Sequence, residues 1–148
     1  MPKTPEGKTR SARNATRHGL LSRTIVLSGE NRKLFERLLA DFTNEFQPAT
    51  PVQNALVENM AVARWRQMRI WSMEKEELTH EMRSQQDDEA PVTRAALAFR
   101  SLSDNSRSLD LLNRYETRYD RQFSRALARL LQLKGHVDFC QTNPDNPQ

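Results

Sequence analysis

Apolar residues return at helical spacing along most of the chain. Leu34, Phe35, Leu38, Leu39, Phe42 and Phe46 follow the i, i+1, i+4 pattern of one buried stripe, which predicts a helix starting at Ser28 or Gly29 and ending near Gln47. Pro48-Ala49-Thr50-Pro51 interrupts it, and Thr50 as N-cap with Pro51 at the first helical position opens a long helix over residues 51–84. There Val57, Ala61, Arg64, Met68, Trp71, Lys75, Leu78 and Met82 step by four and three, a heptad-like seam holding two cations, and Leu56, Met60, Ala63 and Ile70 widen the stripe. The acidic, polar run 85–91 reads as the main exposed loop. A short helix over 91–102 follows, with Val92, Ala95, Ala96, Leu97 and Phe99 as its apolar content; Ser103-Asp104-Asn105-Ser106 then supplies a turn. The last helix, 106–134, has the most regular seam: Leu109, Leu112, Glu116, Tyr119, Phe123, Ala126, Leu130 and Leu133, continued by Val137. Gly135 is expected to stop it, and 141–148 has the composition of a disordered tail.

No alternating run of strand length occurs outside Thr24-Ile25-Val26-Leu27, so the expected class is all-α: a bundle built on two long antiparallel helices, with shorter flanking helices and a basic N-terminal helical arm. The expected division is an arm at 1–24, a helical bundle at 25–140 and the tail. Trp65 and Trp71 belong to the bundle core, since no aromatic-rich basic groove surrounds them. Arg64, Arg66 and Arg69 either extend the surface of the basic head or include at least one internal cation paired with a carboxylate of the last helix; the second is expected, because a cation on a packed seam must be paired. Glu116 alone interrupts the last seam, so the expected pair is Glu116 with Arg64 or Arg66.

Charge changes the picture at the N-terminus. The first 24 residues hold six basic side chains against Glu6 alone, a balance of +5, so the other 124 residues carry −1 of the total of +4. Thr4 is a plausible N-cap with Pro5 at N1, predicting a short helix over 5–18 that Gly19 ends in a left-handed C′ position, with Leu20 making the accompanying apolar contact. Residues 20–28 then form a connector, with Ile25, Val26 and Leu27 as an extended apolar strap across the bundle. In that arm Lys8, Arg10, Arg13 and Arg17 are suited to phosphates and Asn14 to an adenine edge; with His18 and Arg23 they make the candidate nucleic-acid-binding set. A solvated, partly disordered basic tail explains the same residues.

The segment Thr4-Pro5-Glu6-Gly7-Lys8, followed by Ser11, Asn14-Ala15 and His18-Gly19-Leu20, resembles the opening of a large group of uncharacterised bacterial proteins. The Asn-Ala-x-x-His-Gly element is similar to one near the start of some phage small terminase subunits and other mobile-element proteins. The likeness extends over most of the chain, at Pro48 to Pro51, Trp65-Arg66 and Arg114-Tyr115-Glu116-Thr117-Arg118. In that group a Ser-Thr-Gly-Pro-Lys segment often precedes the head, and this chain starts inside the pattern, so part of the arm is expected to be missing. What the resemblance implies is a helical accessory protein of mobile-element biology, with no activity to carry over.

Other chemistry finds little footing. No apolar run approaches the roughly 20 residues of a membrane span, and the start lacks a signal peptide's apolar stretch, so no membrane partner and a cytoplasmic location are expected. Cys140, alone, makes no internal disulfide. His18, His80 and His136 are scattered, and His136 with Cys140 gives two ligands without others, so no metal and no cofactor are expected. The four glycines are isolated and build no phosphate loop. Glu74, Glu76, Glu77 and Glu81 read as a solvated face, and Tyr115 and Tyr119, beside Arg114 and Arg118, as packing. No catalytic residue emerges and no enzyme is expected.

Two functions follow from different features. One is a non-enzymatic protein binding nucleic acid, DNA ahead of RNA, through the basic arm. The other is a protein-interaction module whose seams meet another copy or another helical protein while the head docks on an acidic partner. Arg118, Arg121, Arg125 and Arg129 lie off the last seam, where they either solvate the surface or form a second anion-facing strip.

Overall fold

The computed structural model describes residues 4–85 and 89–142, apart from the side chains of residues 6, 9–15 and 136–142. Five helices account for its secondary structure: α1 (Pro5–Ile25), α2 (Arg32–Phe46), α3 (Pro51–Arg83), α4 (Pro91–Asn105) and α5 (Ser108–Thr142). The class is all-α, with no strand among the described residues. None of the described helices is long and apolar enough to cross a membrane. Residues 86–88 of the expected loop and 143–148 of the expected tail lie outside the described residues.

Local chemistry sets where three helices begin. Thr4 Oγ1 accepts from the Gly7 amide at 3.2 Å and Pro5 follows it, as read from the sequence. Thr50 Oγ1 accepts from Gln53 N at 3.2 Å, and the buried Gln53 side chain reaches back to accept from Ala49 N at 2.8 Å, one residue before the N-cap, a relative of the capping box. α2 starts later than expected. Asn31 caps it by accepting from Lys33 N and Leu34 N, because Gly29, at φ +91°, turns the chain through Leu27–Glu30 first.

Neither helix that a glycine was expected to end stops there. α1 runs through Gly19 to Ile25, and α5 runs through Gly135 to Thr142. An interior glycine costs a helix about 1 kcal/mol and ends it only where the backbone turns left-handed, which among described glycines happens at Gly29 alone. For α1 the compensation is tertiary. Leu21, Ile25 and Val26 pack against Phe35, Val62 and Trp65, so residues 20–25 of the expected connector are helix; of the expected strap Ile25 is helical, Val26 is the extended cap and Leu27 is exposed. A Cβ at Gly19 would meet only Arg32 Nη2, at 3.8 Å. Gly19→Ala is therefore expected to raise stability by about 0.5–1 kcal/mol, read as a higher melting temperature by circular dichroism.

α3 is the central helix, flanked by α2, α4 and α5. Met60, Ala61, Val62 and Ala63 are all buried, and four successive residues cannot share one stripe. Burial on every side replaces the single seam expected there. Val57 and Met60 join Ala126 and Leu130 of α5, with Phe42, Phe46 and Phe123 packed around them. Higher on α3, Arg66 lies over the Tyr119 ring and Trp71 meets Glu116, so numbering rises along α3 as it falls along α5, and the two run antiparallel. Leu34, 52 % exposed, falls outside the buried stripe of α2, which is centred on Phe35 and Leu39.

The middle of the α3–α5 seam corrects two expectations. Glu116 pairs with neither Arg64 nor Arg66; its carboxylate accepts from Trp71 Nε1. Arg64 instead donates to Gln67 Oε1 at 2.9 Å and sits 4.7 Å from the centre of the Trp71 ring. The indole stands where a direct ion pair was expected. Trp71 is accordingly not core but 38 % exposed, whereas Trp65 is buried edge-on to Phe35, ring centres 5.5 Å apart.

Candidate nucleic-acid interface

The basic head is the first part of a 21-residue helix whose second part is fastened to the body. Apolar contacts from Leu21 and Ile25 hold it against α2 and α3. Polar contacts add to them. Arg17 Nη2 donates to Glu58 Oε2 on α3 at 2.8 Å, with the glutamate side chain only 14 % exposed. Ser22, fully buried, lies 3.1 Å from Glu36 Oε1 and 3.0 Å from Gly19 O. Glu36 also accepts from Arg32 Nε at 2.8 Å, and that guanidinium, ahead of the opposing effect of burial, holds its carboxyl below the usual range.

The strongest anchor lies at the other end of α1. Arg69 Nη2 donates to the carbonyl of Ile25, the last residue of α1, at 2.8 Å. The same guanidinium forks onto Glu30, Nε to one oxygen and Nη2 to the other at 2.9 Å. Glu30 Oε2 further accepts from Trp65 Nε1 at 3.0 Å and from the Leu27 amide at 2.9 Å. Hydrogen bonding from Arg69, larger than the contrary effect of burial, pulls the Glu30 carboxyl down from 4.5 to about 2. An internal cation on α3 is thus paired, but it is Arg69, and its partner comes from the turn before α2.

The expected binding set divides accordingly. Lys8 and Arg23 are exposed, His18 is half-buried, and the side chains of Arg10, Arg13 and Asn14 lie outside the described residues. Arg17 serves partly as an anchor, at 45 % side-chain exposure. Continuity through Gly19 places Arg17 in the helical row of Leu21 and Ile25, the row that docks, while Lys8 and Arg23 fall on the far side. No family model, curated protein or solved structure matches this chain. No group of three metal-ligating side chains occurs among the described residues.

Sequence reasoning held Arg69 as one of three arginines, expected Arg64 or Arg66 to be the paired one, and missed Glu30 and Glu58. The signal for Glu30 was its place after Ser28-Gly29, where a turn demanding positive φ aims the next side chain back at the helix end. Glu58 carried no such mark.

Proposed function

We propose that this chain is a non-enzymatic nucleic-acid-binding accessory protein, of DNA before RNA, whose α1 cations meet the phosphate backbone. The observation that carries the reading is charge segregation on an anchored helix. The whole positive surplus falls in the first 24 residues, and α1 is held on the body by Arg17, Leu21, Ser22 and Ile25. A cationic helix already seated meets a polyanion without the ordering cost of a flexible tail. The likeness of the head to small-terminase elements supports a mobile-element setting.

The test keeps Arg17 and its anchor and replaces Lys8, Arg10, Arg13 and Arg23 by glutamine. Affinity for a labelled duplex is measured across a salt series. If each cation releases about 0.9 of a counterion, the slope of log K against log salt falls by roughly 3.6 in the variant. An unchanged slope sinks the reading for this helix. A second reading, association with a second copy, is favoured by Leu27, Met73, Leu111 and Tyr115, exposed along an open groove between α3 and α5. Sedimentation of the same samples separates the two: self-association depends on concentration and ignores the glutamine substitutions.

A further inference from the structure

Arg114, Arg118, Arg121, Arg125 and Arg129 form one row on α5. At 100° per residue they fall within a sector of about 80°, and they span about 22 Å of helix axis. The sector points away from the packed seam: Ala126 and Leu130, buried against α3, stand about 100° and 140° round the helix from its centre, and all five arginines are exposed.

Ordinary solvated helix faces interleave the two signs, as the rest of this molecule does with Arg32 and Glu36 or Arg100 and Asp104. The α5 row does not. Glu116 is turned into the seam toward Trp71, and Asp120 stands about 140° round the helix from the centre of the row. Asp110 reaches only Arg114, at 3.9 Å between exposed side chains, and stands at the end of the row. Among the described residues no carboxylate lies within ion-pair distance of Arg118, Arg121, Arg125 or Arg129. Neighbours three and four apart therefore repel one another with nothing between them.

We infer that this row is a second nucleic-acid contact surface, separate from α1, that tracks a phosphate backbone. Its chemistry favours that partner over other anions. All five cations are arginines, whose planar fork meets phosphate oxygens two at a time. The charges lie in a line, and a duplex presents on the order of a dozen phosphates over a comparable length. A bilayer would require a continuous free apolar face beside the cations, whereas beside this row only Leu111, Tyr115 and Leu133 are partly exposed and Ala126 and Leu130 are buried against α3.

The test uses the full chain, a row variant carrying Arg118→Gln, Arg121→Gln and Arg125→Gln, and a control of equal charge carrying Lys75→Gln, Arg83→Gln and Arg100→Gln. Anisotropy of a labelled duplex is followed across salt, with phosphatidylserine vesicles and polyglutamate as other polyanions and thermal melting as a check on folding. The row variant is expected to lose about 2.7 from the salt slope, or roughly 40-fold of the affinity change between about 50 and 200 mM salt, while the control keeps its slope. Its melting temperature should match or exceed the parent's, since repulsion is relieved. The inference is overturned if row and control variants weaken equally, if the row variant keeps the full slope, or if the full chain takes vesicles or polyglutamate in preference to the duplex. The α1 substitutions serve as a separate arm: loss on the row with none on α1 leaves this inference standing and removes the other.

Discussion

Glu30→Gln is expected to remove about 3 kcal/mol of stability at neutral pH and to flatten the acid limb of the stability profile. The carboxylate takes four hydrogen bonds from three sources: the Arg69 fork, the Trp65 indole and the Leu27 amide. Its pKa of about 2 in the folded chain lies below the ordinary 4.5, so between those values the folded protein holds fewer protons than the unfolded one. The contribution is therefore complete above about pH 4.5 and is lost as pH falls through that window toward 2. Both side chains are mostly enclosed, at 18 % and 22 % exposure for Arg69 and Glu30, so solvent screens the pair little. Glutamine keeps the shape but removes the charge and turns an amide toward a guanidinium. Urea unfolding from pH 2 to 7 reads the effect, over the range set by the two values above. An acid limb identical in parent and variant would show that Glu30 does not carry it. Arg69→Gln should cost a comparable amount, and the double variant less than the two together.

Removing residues 1–24 is expected to cost about 3–5 kcal/mol, whereas removing 1–15 costs no more than about 1. The longer cut takes Leu21 from the face of Phe35 and Trp65, and takes Arg17 and Ser22 from Glu58 and Glu36. Two carboxylates lose partners and the indole of Trp65 is uncovered. The shorter cut ends before any of those contacts. Urea unfolding with tryptophan fluorescence separates the two, because only the longer cut should shift Trp65 toward water. Equal stabilities for the two truncations would mean that α1 is no part of the folded body. The distinction matters for function too: loss of binding after the longer cut reports unfolding as well as lost charge, so single-residue charge changes are the cleaner probe.

Helix starts were legible because each is a local event. Thr4-Pro5 and Thr50-Pro51 hold their caps within three residues, and periodicity gave both long helices, α3 nearly to its last residue. The ends of α1 and α5 were not. Gly19 and Gly135 lie inside helices because a stop signal of about 1 kcal/mol competes with whatever the following residues gain by continuing. At Gly19 that gain comes from Phe35, Val62 and Trp65, which are 16 or more positions away. The seam arithmetic likewise marked Glu116 as needing a donor but not which one. Arginine and indole compete for it, and the Trp71 ring supplies both an N–H for Glu116 and a face for Arg64.

By itself the sequence determined the all-α class, the caps that open α1 and α3, the break at Pro48–Pro51 and the concentration of positive charge at the N-terminus, since each depends on residue type and near-neighbour spacing. Only the tertiary structure decided that α1 is one helix docked along the body, that Arg69 pairs with Glu30, that α3 is enclosed on all sides at Met60–Ala63 and that, among the described residues, Arg118, Arg121, Arg125 and Arg129 stand free of acids. Those outcomes depend on which surfaces meet, and the free energy that selects them comes from contacts between residues far apart in the chain.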